Sequence, residues 1–245
     1  MLVTAVAAER DAVVAGLGPT VTHRDLPAGT LTRVSAPPGA PFGYADVLVG
    51  GVGPAAAAAS AGGALTAAAL GGDPYGLVVS AGIGGGFAPG APVGGVVVAD
   101  AIVAADLGAE TADGFVPVTG LGFGTVEHRP PAALVRDVAA AAGAAVGTVL
   151  TVSTVTGSAA RAAELTDRHP RALAEAMEGF GVAEAAAAHG CPVLEIRAMS
   201  NAVGPRDRTA WRIPEALAAL TSAVAGLAAV RWQGSAQASG RKNPS

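Results

Sequence analysis

Apolar positions along the chain come in short runs, separated by Ala-rich or mixed stretches. Leu2 to Ala7 predicts a first buried strand, and Glu9 to Leu17 a helix closed by Gly18-Pro19. Residues 18 to 44 are rich in Pro, Gly and Thr and predict one or two hairpin-like strands, among them Gly29 to Ser35. Asp46 to Val49 is a strand that runs through Gly50-Gly51-Val52-Gly53 into an Ala-rich helix over Pro54 to Leu70, with Pro in its first turn. Leu77 to Ser80 predicts a strand that opens into a glycine loop, Gly82 to Gly86. Val96 to Ala105 and Thr148 to Val155 are further strands. Helices are expected over Pro131 to Ala142 and Ser158 to His169. Ala176 to Gly179 is a strand end feeding a helix that runs through His189. Val193 to Ala198 is a strand, and Ile213 to Val230 the closing helix. Near-continuous apolar strands alternating with helices imply an α/β chain with a mostly parallel or mixed sheet covered on both faces. The body, 1 to 230, is expected to be a single domain, and the polar, Gly/Ser-rich residues 231 to 245 a disordered tail.

In such sheets ligands collect at the carboxyl ends of the strands. The segments there are Glu9, Gly50 to Gly53, Gly82 to Phe87, Val155-Thr156-Gly157, Glu178 and Ser200-Asn201, so two carboxylates, an amide and several glycines are expected at one edge.

Composition narrows the chemistry. Of 245 residues, 60 are Ala and 35 Gly, so the side chains are small. The net charge of -4 argues against a nucleic-acid binder, which needs a basic face. The single lysine, Lys242, lies in the polar tail, which excludes Schiff-base and P-loop lysine chemistry from the body. The uncharged stretch between Asp73 and Asp100 could span a bilayer by length, but Pro74, Pro89, Pro92 and Gly84-Gly85-Gly86 make it a buried one. Glu9 interrupts the N-terminus early and no basic segment precedes it, so no signal peptide is expected. With one cysteine, Cys191, a reducing cytoplasm is the default. Dinucleotide-binding and nucleophile-elbow motifs are absent. His23, His128, His169 and His189 have no metal-ligand spacing, and Cys191, before Pro192, reads as core.

Four segments carry a resemblance: Ala7-Ala8-Glu9-Arg10, Ala81-Gly82-Ile83-Gly84-Gly85-Gly86, Ala176-Met177-Glu178-Gly179 and Arg197-Ala198-Met199-Ser200-Asn201. Together, in this order, they resemble the nucleoside phosphorylase and nucleosidase superfamily. Ala105-Asp106-Leu107-Gly108-Ala109-Glu110, Thr151 to Gly157 and Ser200 to Asp207 are similar to its futalosine hydrolase family. The resemblance implies a three-layer αβα fold with a mixed, partly barrel-like central sheet. It also implies hydrolysis of the N-glycosidic bond of a purine nucleoside on the menaquinone route through futalosine. A phosphate-dependent phosphorylase, or a methylthioadenosine/S-adenosylhomocysteine-type nucleosidase, is the same-fold alternative.

By that resemblance Glu9 activates water, Glu178 grips the ribose hydroxyls with Met177 packed beneath, and Arg197 lies near the water and Glu9. Gly82 and Ile83 offer backbone N–H groups, and Val155 and Thr156 flank the base. Glu9 and Glu178 are equally what a helix N-terminus favours, and Asn201 suits a loop or cap as well as a site. Adenine-specific relatives carry Asp where this chain has Asn201. An amide cannot deliver a proton, but it matches the acceptors of a 6-oxopurine, so hypoxanthine is the expected leaving group. No metal or organic cofactor is implied, no nucleic acid or membrane partner is expected, and relatives form homo-oligomers. Arg10, Arg33, Arg129 and Arg206 stand as possible partners for the carboxylated tail of such a substrate.

Overall fold

The computed structural model describes residues 1–19, 21–27 and 29–231. Apart from Arg231, the tail expected over 231 to 245 lies outside the described residues. The elements run β1 (Leu2–Thr4), α1 (Ala7–Leu17), β2 (Val21–Leu26), β3 (Gly29–Ser35), β4 (Tyr44–Val49), α2 (Pro54–Leu70), β5 (Val78–Gly86), β6 (Val96–Ala104), β7 (Gly108–Thr111), β8 (Gly114–Pro117) and β9 (Glu127–His128). Then follow α3 (Ala132–Ala142), β10 (Ala145–Thr151), α4 (Ala159–Arg168), β11 (Ala172–Ala176), α5 (Gly179–Ala188), β12 (Val193–Ala202) and α6 (Ile213–Ala229), with a 3-10 turn at Arg208–Ala210 before the last helix.

The main sheet is mixed, in the order β11-β10-β6-β12-β5-β1-β4-β3-β2. An antiparallel β11–β5 pairing closes the first five of these strands into a barrel-like ring. β12, β5, β1 and β4 run parallel to one another in the middle of the sheet, so their carboxyl ends share one edge. Helices cover both faces. Ala57, Ala61, Ala64 and Leu65 of α2 pack with Val182, Ala183 and Ala186 of α5 on one side. Val13 and Leu17 of α1, Leu134 and Val138 of α3, and Leu220 and Val224 of α6 cover the other. This is the three-layer arrangement expected.

Local departures have physical causes. Gly82 to Gly86 belong to β5 rather than to a loop. Glycine is a poor strand former, but here its missing side chain is what lets neighbours close in: a methyl on Gly84 would lie 2.8 Å from the Glu175 carbonyl oxygen, and one on Gly86 2.1 Å from that of Ala91. β12 extends past Ala198 to Ala202, and β1 stops at Thr4 because α1 starts at Ala7. β10 lies earlier than expected, ending at Thr151. The β7–β8 hairpin, β9 and most of β11 were not foreseen; they are short or alternate weakly.

Period-2 alternation explains how β12 carries charge inside the molecule. Leu194, Ile196 and Ala198 face the α1/α3/α6 layer, whereas Val193 and Met199 face the α2/α5 layer. Glu195 and Arg197 alternate with the first set and so share the second face. Ser80 and Gly82 of β5 fall on that face too. The β12–β5 register is interrupted between Met199 and Asn201: Met199 pairs with Gly84 and Asn201 with Gly85, leaving Ser200 as a surplus residue.

Candidate active site

Glu9 enters from the first turn of α1, just past the end of β1, and is buried. Its Oε2 accepts the backbone N–H of Ala5 at 2.9 Å and of Val6 at 3.3 Å, the latter being half of a capping box. Its Oε1 accepts the N–H of Ile83 at 2.8 Å. Three backbone donors therefore fix a carboxylate at the strand ends.

Arg197 is 1% exposed and fully engaged. Its Nε donates to Glu195 Oε1 at 2.9 Å, its Nη2 to Ser80 Oγ at 2.9 Å, and its Nη1 lies 3.2 Å from Glu178 Oε2. Burial alone would depress the guanidinium. Glu195, Glu178 and Glu9 outweigh it and hold Arg197 charged, above its usual range. Glu178, at the start of α5, accepts the N–H of Gly53 on its other oxygen at 3.1 Å. Gly53 has a φ of 92°, a conformation that favours glycine, and this turn aims its N–H at the acid. Gly82 lies between Glu9 and Arg197: a methyl there would sit 2.6 Å from Glu9 Oε1 and 2.7 Å from Arg197 Nη1.

Two further acids were missed by sequence reasoning. Glu195 is fully buried, and its Oε2 has no partner among the described residues. Burial pushes its carboxyl up, against the pull of Arg197. It fits only because Gly179 has no side chain, a methyl there lying 2.2 Å from both of its oxygens. Glu175, on β11, is also buried and pushed up by burial, although Thr156 donates to it from its N–H at 2.9 Å and its hydroxyl at 2.5 Å. A signal for Glu195 did exist: in Val193-Leu194-Glu195-Ile196-Arg197, an acid two residues before an arginine within an apolar strand shares its face. Glu9, Glu178 and Glu195 thus surround one guanidinium, setting three carboxyl groups against a single cation in a water-poor edge of the sheet.

Asn201 stands further along β12, about 13 Å of strand from Arg197 at the usual rise per residue. Its Oδ1 accepts the Ser200 hydroxyl at 2.8 Å, and its Nδ2 donates one hydrogen to the Ala202 carbonyl at 2.9 Å. It lines a cavity of about 130 Å³ with Val155, Thr156, Arg206, Asp207 and Trp211. Val155 is partly exposed there, while the Thr156 hydroxyl is spent on Glu175 and is not a free donor. Met177 is half-buried between β11 and Glu178. Of the four arginines considered for an anion, Arg10 pairs with Asp11, Arg33 with Asp46 and Arg129 with Glu127; Arg206 alone lines the Asn201 cavity.

A larger cavity of about 340 Å³ opens near Met1, Phe42, Tyr44, Tyr75 and Leu227, and none of the residues just described lines it. Among the described residues, no group of three or more His, Cys, Asp or Glu could hold a metal ion, and no helix is long and apolar enough to cross a membrane.

Comparison with known proteins places this geometry. The family model described as "Phosphorylase superfamily" matches residues 45–230. A futalosine hydrolase of Streptomyces coelicolor is 69% identical over 230 residues, covering 94% of this chain and 95% of that one. Another, of Acidothermus cellulolyticus, is 45% identical over 249 residues, covering 99% and 96%. Among solved structures, the native futalosine hydrolase of Helicobacter pylori superposes with a TM-score of 0.76 at 15% identity, covering 92% of this chain and 95% of that one. A 5'-methylthioadenosine/S-adenosylhomocysteine nucleosidase of Neisseria meningitidis superposes with a TM-score of 0.76 at 20% identity, covering 92% of this chain and 96% of that one.

Proposed function

Because this chain belongs to the phosphorylase superfamily, and within it to the futalosine hydrolases, we propose that it hydrolyses the N-glycosidic bond of futalosine and releases hypoxanthine. The observation that carries the reading is the buried cluster in which Glu9, Glu178 and Glu195 outnumber the single cation Arg197.

N-glycosidic cleavage develops positive charge on the sugar and negative charge on the departing purine. A fixed excess of carboxylate is poised for the first, and it costs nothing to reorganise as the reaction proceeds. Glu9, seated by three N–H groups, takes the proton of the attacking water. Glu178 uses one oxygen for Gly53 and one for Arg197 and keeps lone pairs for the ribose diol; those hydrogen bonds strengthen as the ring becomes cationic. Arg197 holds Glu178 in place. At the other end Asn201, with one free N–H, serves an acceptor of the oxopurine, between Val155 and the Thr156–Glu175 pair. The same charge balance favours water over phosphate: an anion entering beside Gly82 would meet Glu9 and find the neighbouring guanidinium already neutralised. The reading extends to a cytoplasmic homo-oligomer in menaquinone synthesis.

The test is hypoxanthine release from futalosine in phosphate-free buffer. Full turnover there, abolished by several orders of magnitude in Glu9→Gln, is expected. Turnover that appears only on adding phosphate would make the enzyme a phosphorylase.

A further inference from the structure

The cavity around Asn201 contains a cation-bearing side chain that the reaction scheme above does not use. Arg206 follows β12 by four residues and lines that cavity. Its guanidinium carbon stands 5.5 Å from the centre of the Trp211 ring. Its stem runs past Gly157, where a methyl would sit 3.8 Å from Cγ and Cδ, so the side chain lies over the turn that follows Thr156. Among the described residues Arg206 makes no ion pair. The adjacent acid, Asp207, is spent on the N–H and hydroxyl of Thr209, at 3.0 and 2.6 Å.

The side-chain donors available to a base in this cavity can be counted. Asn201 has one N–H left, the Thr156 hydroxyl is committed to Glu175, and Asp207 is an acceptor. That leaves the Arg206 guanidinium and the Trp211 indole N–H. A 6-oxopurine presents two adjacent acceptors, N7 and O6. One amide hydrogen serves one of them. As the glycosidic bond breaks, its electron pair passes into the purine, and part of the charge falls on O6. A cation facing O6 therefore binds the departing base more tightly than the intact nucleoside. A 6-amino group would instead turn hydrogens toward the guanidinium.

We infer that Arg206 is a specificity-determining residue that reads the 6-oxo group of the purine and supports its departure. The inference rests on the proposed reaction, since it takes the Asn201 cavity as the seat of the base.

The experiment compares the full chain with its Arg206→Ala, Arg206→Met and Trp211→Phe variants. Readouts are kcat/KM on futalosine, kcat/KM on its 6-amino analogue, and inhibition of futalosine cleavage by hypoxanthine and by adenine. Both Arg206 variants should lose about ten- to a hundredfold in kcat/KM on futalosine. Hypoxanthine inhibition should weaken in parallel, while the 6-amino analogue and adenine change little. Equal losses on futalosine and the 6-amino analogue, with hypoxanthine inhibition unchanged, would assign Arg206 to the carboxylated tail and overturn the inference. So would a loss confined to Trp211→Phe, or no loss at all. A parent chain that released no base from futalosine would fail the reaction itself, and the inference with it.

Discussion

Gly82→Ala puts one methyl group into the centre of the acid cluster, and the structure sets the size of the effect. Gly82 is not among the glycines with positive φ, so alanine strains no backbone there. The damage is steric and electrostatic. The new carbon would lie 2.6 Å from Glu9 Oε1 and 2.7 Å from Arg197 Nη1, where contact needs about 3.5 Å, so both groups must retreat by nearly 1 Å. Neither is a loose end. Glu9 is held by Ile83 at 2.8 Å and Ala5 at 2.9 Å; Arg197 by Glu195 and Ser80, both at 2.9 Å. A misplacement of about 1 Å at reacting groups costs on the order of a hundredfold in rate, about 2.7 kcal/mol of barrier. Steady-state hypoxanthine release should show kcat down by about that factor with the melting transition still cooperative. A variant that folds and turns over within about threefold of the parent would refute the placement of Glu9 and Arg197 around the reacting centre.

Gly181→Ala should act first on stability. Its methyl would lie 2.0 Å from the Pro54 carbonyl oxygen, so it should lower the melting temperature by prising α5 from α2, and kcat should fall with it because Gly53 and Glu178 flank this contact. Asn201→Asp should shift kcat/KM toward the 6-amino analogue of futalosine; unchanged preference would mean that the base is read elsewhere. Arg33→Ala strips both 2.7 Å hydrogen bonds from Asp46, whose side chain is 1% exposed. It should cost about 3 kcal/mol in urea unfolding without altering KM. Glu175 has a folded pKa raised above its unfolded one, so both states are protonated at low pH. Stability is then lost as pH climbs through the unfolded value, 4.5, toward the raised folded one. Urea midpoints of the parent should fall over that window, and Glu175→Gln should flatten the fall.

The strand–helix alternation and the edge where Glu9, Glu178 and Asn201 emerge were legible because period and punctuation are local properties. The glycines of β5 were not, since they are held in a strand by pairing with β12 and β11, and the Glu175 and Ala91 backbones leave no room for a side chain, which no local pattern encodes. Glu175 stayed hidden as a lone acid in an apolar run, and Glu195 offered only the clue of Arg197 two residues on. The arginines could not be sorted by type alone; burial and pairing separate Arg33, bound to Asp46, from Arg206.

The surplus residue at Ser200 has a wider implication. Regular alternation would carry Asn201 onto the face of Glu195 and Arg197; the slip sets it opposite Gly85 instead, with its amide nitrogen 3.3 Å from where a Gly85 methyl would be. In the proposed reaction, Arg197 beside the sugar and Asn201 beside the base are thereby carried on the same strand but out of phase. On that reading, a change of purine needs only an edit after the slip, and Arg197 before it can stay as it is.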